Sequence, residues 1–521
     1  MKRLPLYPFL FIFYIVLTPL ADNIDQLDPS LALRPMALLL LVGVVLLVFF
    51  YAIFRDWQYA GYLLFLISVF FFAFGYLSRF LQSQLLRFDK TLDEQAFLGI
   101  SAGMLLLLGI KAVWARLGGH TWLTPYLNLV MALGLLFPVY KLVAGFVREP
   151  LPPRGTARIV QASGGELVLD CSNTPDIYYI ILDGYGRADA LKDLYGFDNR
   201  PFLETLERKG FFVADESHTN YTQTIFSIPS SLNFSLIEPP GAGVSGQRYF
   251  SDLMRDNKIM STLKGCGYRT VAIESGYYFT DHPVVDLYLR PVIGLNEFES
   301  LLLADSPLDV MAEELNLEPP EHSYAGHRRR VLYSFEKLES LPRMDGPKIV
   351  FAHIISPHPP FVFDSSGQPI RPDYAYYIGD GDDFQGSLDE YLAGYPEQAE
   401  FVNQQLGRVI DALLANSSTP PVIILQGDHG PGSRLVWGAP DRSCLWERTP
   451  ILNAYYLPGD GARWLYPSIS PVNSFRVVLN AYFDARLPFL PDNTYFTSHR
   501  LERQAINITK ERDSLANCGM P

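Results

Sequence analysis

Apolar residues follow two different patterns along this chain. Up to about residue 147 they come in long unbroken runs. Met36–Phe54 is 19 residues without a charge, and Tyr59–Ser78 is another 20. As helices, runs of this length cross a hydrocarbon core about 30 Å thick. Residues 96–114 contain one charge, Lys111, near the end, from where it can reach the headgroups. Residues 123–147 contain Pro125, Pro138 and Lys141, and proline is tolerated in a membrane helix. A fifth run, Leu4–Ala21, follows Lys2 and Arg3 and reads as either a membrane helix or a signal peptide. Pro19 spoils the small-residue cleavage pattern, which favours an uncleaved helix. One such run is often a buried core helix, but four or five in succession predict a transmembrane region over 1–147. Its helices would be 4–21, 36–54, 59–78, 96–114 and 123–147.

The pattern changes after a spacer, 148–175, that holds four prolines and one short expected strand at Leu167–Leu169. Ile177–Leu182 (IYYIIL) is a short, continuous apolar run between Pro175 and Gly184, which suits a parallel strand buried on both faces. Similar runs recur at Thr270–Ile273, Ile349–Ile355, Val422–Leu425 and Ile451–Leu457. Helical patterns at Arg200–Gly210, His327–Leu341 and Leu388–Leu414 lie between them. The alternation predicts one α/β domain over 176–500 with a mostly parallel central sheet and helices on both faces, leaving 501–521 as a tail.

Charge separates the same two regions. Residues 1–149 hold 11 Lys/Arg and 8 Asp/Glu, a net of +3, and the remainder holds 31 and 47, a net of −16. A domain this acidic does not suit nucleic acid, whose phosphates need a basic surface. The four cysteines, Cys171, Cys266, Cys444 and Cys518, show no CxxC spacing, which excludes zinc-finger and thioredoxin-type readings. Disulfides among them stay open if the domain lies outside the cytoplasm. The Lys/Arg distribution does not fix the orientation. Five helices from a cytoplasmic N-terminus, or four after a cleaved signal, both place residue 150 outside.

In sheets of this kind, ligands bind beyond the carboxyl ends of the strands. The residues found there are Asp183-Gly184, then His353 and His358, then Gly427-Asp428-His429-Gly430. Each alone is an ordinary polar turn. Two carboxylates and an imidazole converging at one sheet end make a chemically sensible metal set. The hydroxyl-rich segment Ser217–Phe234 is expected to open a helix near Ile225–Leu232. Thr222 or Thr224 then stands either as a plain N-cap or beside unpaired N–H groups that suit an anion.

Five segments together resemble the alkaline phosphatase/sulfatase superfamily: Asp176–Arg187, Asn220–Asn233, Gly265–Gly276, Phe351–Phe363 and Val422–Arg434. The membrane-plus-domain layout is similar to that of lipoteichoic-acid synthases and lipid A phosphoethanolamine transferases. The resemblance implies a metal held by Asp183, Asp428, His429 and the nucleophile oxygen. It implies Thr224 as that nucleophile, over Ser227, whose surroundings imitate the formylglycine pattern of sulfatases but place Ser231 where that pattern has arginine. It further implies His358 as a phosphate-binding or acid group, and His353 as a second catalytic histidine or else a satisfied structural one. Arg187 and Arg434 follow strand-end motifs and stand either as bidentate anion clamps or as surface salt bridges. An imidazole in place of one carboxylate of the calcium-type set favours one zinc or manganese ion over calcium. The expected protein is a multi-pass enzyme of the cell membrane whose catalytic domain faces the periplasm or exterior. It would transfer or hydrolyse phosphate esters of membrane lipids or envelope glycans through a phospho-threonine. A sulfuric-ester hydrolase of the same fold and a non-catalytic envelope module are the alternatives.

Overall fold

The computed structural model describes residues 4–22, 32–85, 123–148, 169–239, 246–291 apart from 278, 282 and 283, 306–307, 323–498 apart from 373 and 375, and 504–519. The chain divides into two compact units, residues 1–155 with 293–322, and 156–292 with 323–521.

In the first unit the described residues form α1 (Tyr7–Asp22), α2 (Leu33–Phe54), α3 (Trp57–Leu85) and α4 (Leu123–Arg148). Three of them, α2, α3 and α4, are long and apolar enough to cross a membrane, and α1 is a shorter apolar helix. The helix expected over 96–114 lies outside the described residues. The most apolar window of α2 has a mean hydropathy of 3.0 and is only 6% buried. Leu41, Val45 and Phe49 on α2 and Leu133, Leu136 and Phe137 on α4 are exposed. Apolar surface on this scale calls for a hydrocarbon surrounding rather than water. Asn128 of α4 has a specific task there: its side-chain oxygen accepts the Leu6 and Tyr7 N–H groups at 3.0 and 2.8 Å, satisfying donors at the start of α1.

The second unit is built around a seven-stranded sheet. In chain order its elements are β1 (Ile177–Leu182), α5 (Ala188–Tyr195), α6 (Arg200–Arg208), β2 (Phe212–Val213), α7 (Thr224–Leu232), α8 (Gly246–Arg255), α9 (Lys258–Gly265), β3 (Arg269–Ile273), β4 (Leu287–Leu289), α10 (Tyr324–Ser340), β5 (Lys348–Ile354), α11 (Leu388–Asn416), β6 (Val422–Gly427), α12 (Leu445–Arg448), β7 (Asn453–Tyr456) and α13 (Pro471–Phe483). A hairpin of β8 (Tyr495–Thr497) and β9 (Ala505–Asn507) follows. The sheet order is β2-β7-β6-β1-β5-β3-β4, with β1 central and parallel to β5 and β6.

The unbroken apolar sequence of β1 follows from this position. Tyr178, Ile180 and Leu182 pack with Val331 and Phe335 of α10 and Val402, Leu406 and Val409 of α11. Ile177, Tyr179 and Ile181 point to the other face, among Ile228 of α7, Leu263 of α9 and Phe475 and Val478 of α13. Each such side chain contributes about 1.5–3 kcal/mol by leaving water. At the start of α11, Ser387 and Glu390 form a reciprocal capping box.

The Ile451–Leu457 run gives a shorter strand than its apolar length suggests, and β7 runs antiparallel to β6. The segment joining them contains α12 but no long crossover helix, so the chain returns down the sheet from the end where β6 finished. That detour keeps residues 428–452 at the carboxyl end of the sheet. Two disulfides brace the unit: Cys171–Cys266, and Cys444–Cys518, which joins the residue before α12 to the C-terminal segment. The same segment accepts hydrogen bonds from Trp446 N to Ser514 O and from Thr449 Oγ1 to Arg512 O.

Candidate metal centre and nucleophile

Three parallel strand ends and one helix start meet at a single buried point. Asp183 follows β1, and its N–H donates to Ile354 O at the end of β5. Asp428 and His429 follow β6, and Thr224 is the first residue of α7. Gly184, at φ +70°, turns the chain so that its N–H donates to Asp428 Oδ1 at 3.1 Å. His358 lies against the same glycine, and its N–H donates to Asp183 O.

Ligand atoms of Asp183, Asp428 and His429 all lie within 4.8 Å of one another. His429 Nε2 is 3.6 Å from Asp183 Oδ1, 3.3 Å from Asp428 Oδ2 and 3.0 Å from Thr224 Oγ1. His429 Nδ1 faces Gly430 O at 3.0 Å, which assigns the ring proton to Nδ1 and turns the Nε2 lone pair toward the cluster. Asp183 Oδ1 and Asp428 Oδ2 are buried with no hydrogen-bond partner. Two orphaned carboxylate oxygens and an imidazole lone pair aimed at one point fit a divalent cation.

The electrostatics agree. Burial alone would raise the Asp183 carboxyl, but His358, His353 and His429 outweigh it and hold the group well below the usual carboxylate range. Burial, helped by Arg448, pushes the His429 imidazole down and keeps it neutral, despite the nearby carboxylates.

The two candidate hydroxyls are placed differently. Thr224 Oγ1 faces His429 Nε2. Ser227, one turn further along α7, donates its hydroxyl to Asp428 O at 2.7 Å and is 1% exposed. His353 stands behind Asp183: Nε2 is 3.1 Å from Asp183 Oδ2 and Nδ1 is 2.7 Å from Thr280 Oγ1. That leaves neither ring nitrogen for a reacting group. His358 sits beside His429, with Nδ1 on Pro359 O at 2.5 Å and Nε2 3.8 Å from Asp380 Oδ2.

Arg187 and Arg434 are occupied elsewhere. The Arg187 guanidinium meets both Asp189 oxygens and Ser217 O. Arg434 donates to Ser433 Oγ. Among the described residues neither hydrogen-bonds to a member of the cluster.

Asp380 and Arg448 escaped the sequence reading. Both are buried and paired with each other, and Asp380 also accepts from Tyr391 OH at 2.8 Å. Burial opposes the Asp380 charge, but Arg448, His358 and His429 prevail and hold its carboxyl below the ordinary value. The signal for Arg448 was present as a Glu447-Arg448 pair directly before the apolar run that forms β7, where surface charge is not expected.

The sulfatase family model matches residues 175–461, more than half of the chain. No curated protein matches it. Among solved structures, the C-terminal periplasmic domain of EcEptC from Escherichia coli is similar at 12% identity and a TM-score of 0.44, covering 68% of this chain and 100% of that one. The corresponding domain of the phosphoethanolamine transferase EptC from Campylobacter jejuni shows 14% identity and a TM-score of 0.37, covering 60% and 89%. The soluble domain of lipooligosaccharide phosphoethanolamine transferase A from Neisseria meningitidis shows 13% and 0.39, covering 61% and 92%.

Proposed function

The chain belongs to the sulfatase family, and from that premise we propose that it is a membrane-anchored enzyme that transfers or hydrolyses phosphate esters through Thr224. The observation that carries this reading is the opposite placement of two hydroxyls on α7. Thr224 Oγ1 lies among the orphaned ligand atoms, whereas Ser227 is committed to a backbone carbonyl. A formylglycine sulfatase would need the reverse, so the phosphate reading is favoured over the sulfate one.

Asp183, Asp428, His429 and the Thr224 oxygen would hold one divalent ion. Zinc or manganese suits this mixed oxygen–nitrogen set better than calcium. When bound, such an ion favours the threonine alkoxide and offsets charge on the phosphoryl oxygens. The residues supply the rest. Thr224 would release its hydroxyl proton to solvent before Oγ1 bonds to phosphorus and the ester P–O bond breaks. His358 gives the departing oxygen a proton. In the second half an acceptor hydroxyl, from water, a lipid or a glycan, gives its proton back to His358 as its oxygen bonds to phosphorus and the Thr224 Oγ1–P bond breaks, leaving the threonine alkoxide. His353 and Thr280 hold Asp183 in orientation throughout.

The apolar helices and the two disulfides support a catalytic domain outside the cytoplasm of a multi-pass membrane protein. A phosphorylated lipid headgroup or an envelope glycan is then the natural substrate. The test is intact-mass analysis of the full chain in detergent after brief incubation with a phosphodiester. A phosphoryl-containing adduct that maps to residue 224 and is missing in Thr224→Ala is expected. An aldehyde at residue 227 would replace this reading with the sulfatase one.

A further inference from the structure

We propose that Arg448, backed by Asp380, is a positioning residue that sets the separation between the nucleophile segment and the metal-binding loop. The proposal rests on the reading of Thr224 and its cluster given above, and it extends that reading to groups that touch neither substrate nor ion.

One guanidinium joins three parts of the site. Its Nε donates to Thr222 O at 2.9 Å, two residues before Thr224. Its Nη1 donates to Gly430 O at 3.1 Å, the residue after His429, and also meets Asp380. Asp380 in turn stands 3.8 Å from His358 Nε2. The Arg448 carbonyl accepts the Gly430 N–H at 2.8 Å, so both ends of the residue grip the same loop. A side chain at Gly430 would have no room, because its Cβ would lie 2.1 Å from Glu447 O. Trp437 covers the guanidinium at 5.3 Å and donates its indole N–H to Asp380 O at 2.9 Å.

The start of α7 needs such a brace. Gln223, its N-cap, makes no side-chain capping bond. Thr224 is therefore held through the backbone just before it, where Arg448 binds Thr222 O and the Thr222 N–H and hydroxyl donate to Tyr495 O and Thr497 O. A guanidinium is a rigid planar fork with donors in fixed directions, whereas lysine is a flexible point donor and cannot span the same acceptors at once. The arrangement ties the start of α7 to the His429 loop through the Arg448 side chain, beside the bond from the Ser227 hydroxyl to Asp428 O.

Removing Arg448 alone would leave Asp380 buried and uncompensated, so the informative variant is the neutral double change Arg448→Met with Asp380→Asn, beside Arg448→Lys. The full chain in detergent is assayed for thermal midpoint, zinc affinity against a chromogenic chelator, and turnover of bis(p-nitrophenyl) phosphate. The double variant is expected to stay folded and to bind zinc about 10–100-fold more weakly. Its kcat should fall about 10²-fold with KM nearly unchanged, as for a misplaced reacting group. Arg448→Lys should recover only a small part of either loss. Wild-type zinc affinity and kcat in a folded double variant would overturn the proposal, as would a loss confined to KM or unfolding of both variants. A wild-type chain that binds zinc yet leaves the diester intact would remove the phosphoryl-transfer reading, while zinc affinity would still judge Arg448.

Discussion

Two buried clusters of charge lie side by side at the carboxyl end of the sheet, and they are finished to different degrees. In the first, Asp183 Oδ1 and Asp428 Oδ2 face one another's neighbourhood with no donor at all. In the second, Glu447 accepts from Ser433 N, Ser433 Oγ, Arg434 N and Tyr195 OH, and Asp380 accepts from Arg448 and Tyr391. Leaving a buried carboxylate unsatisfied costs several kcal/mol, so a fold that completes one cluster and leaves its neighbour open reserves the open one for a ligand. The completed cluster is framework, and the incomplete one is the candidate site.

The most severe test of this contrast is Thr224→Ala, which belongs to the incomplete cluster. Phosphodiester turnover should fall about 10⁶-fold, as for a lost nucleophile. The thermal midpoint should barely move, and a variant retaining a tenth of wild-type kcat would break the distinction.

Loss of a framework residue should cost stability as well as turnover. Asp380→Asn strands the Arg448 charge and is expected to cost about 3–5 kcal/mol in chemical denaturation. Its pH dependence has a fixed sign. The folded-state pKa of Asp380 is depressed, so its contribution is fully present above the unfolded value of about 3.9 and is lost as pH falls through the lower folded value. The stability gap between wild type and variant should therefore be widest near neutrality and close in acid. A gap that widens in acid would show that the carboxylate is not the stabilising form.

Zinc addition sharpens the comparison from the other side. At a hundred times its Kd, zinc should stabilise the chelator-stripped wild-type chain by about 2.7 kcal/mol. It should leave an Asp183→Asn/Asp428→Asn variant unchanged, and that variant, without metal, should be at least as stable as stripped wild type. Zinc stabilisation that survived both substitutions would place the ion elsewhere. The smallest effect is reserved for Ser227→Ala, which deletes one hydrogen bond to a carbonyl and should cost about 1 kcal/mol in stability. Its kcat should stay within about tenfold of wild type, the equivalent of one such bond; a loss matching that of Thr224→Ala would return Ser227 to candidacy.

Much of this architecture is legible before any coordinates. The IYYIIL run declares a strand covered on both faces, and β1 spans the same six residues. The strand direction of β7 is not legible, because an apolar run has the same composition whichever way it points; the missing crossover helix decides it. In the site, the Asp183-Gly184 and Asp428-His429-Gly430 pieces are visible because they follow strands directly. Arg187 shows the limit of that rule: it also follows a strand end, but Asp189, two residues on, captures it. Asp380 and Arg448 are hidden for a physical reason. Asp380 sits in a loop rich in charged and turn-forming residues and Arg448 ends the single-turn helix α12, and only the tertiary fold makes their burial and mutual pairing possible.

The Cys444–Cys518 bond gives this site a dependence on time and place. Cys518 lies 74 residues beyond its partner, so the segment that delivers Glu447 and Arg448 is not fastened until the downstream chain has been made and moved into an oxidising compartment. On the reducing side of the membrane that fastening does not form. The fold is thereby tied to the address: the carboxyl end of the sheet is fully fastened only in an oxidising compartment.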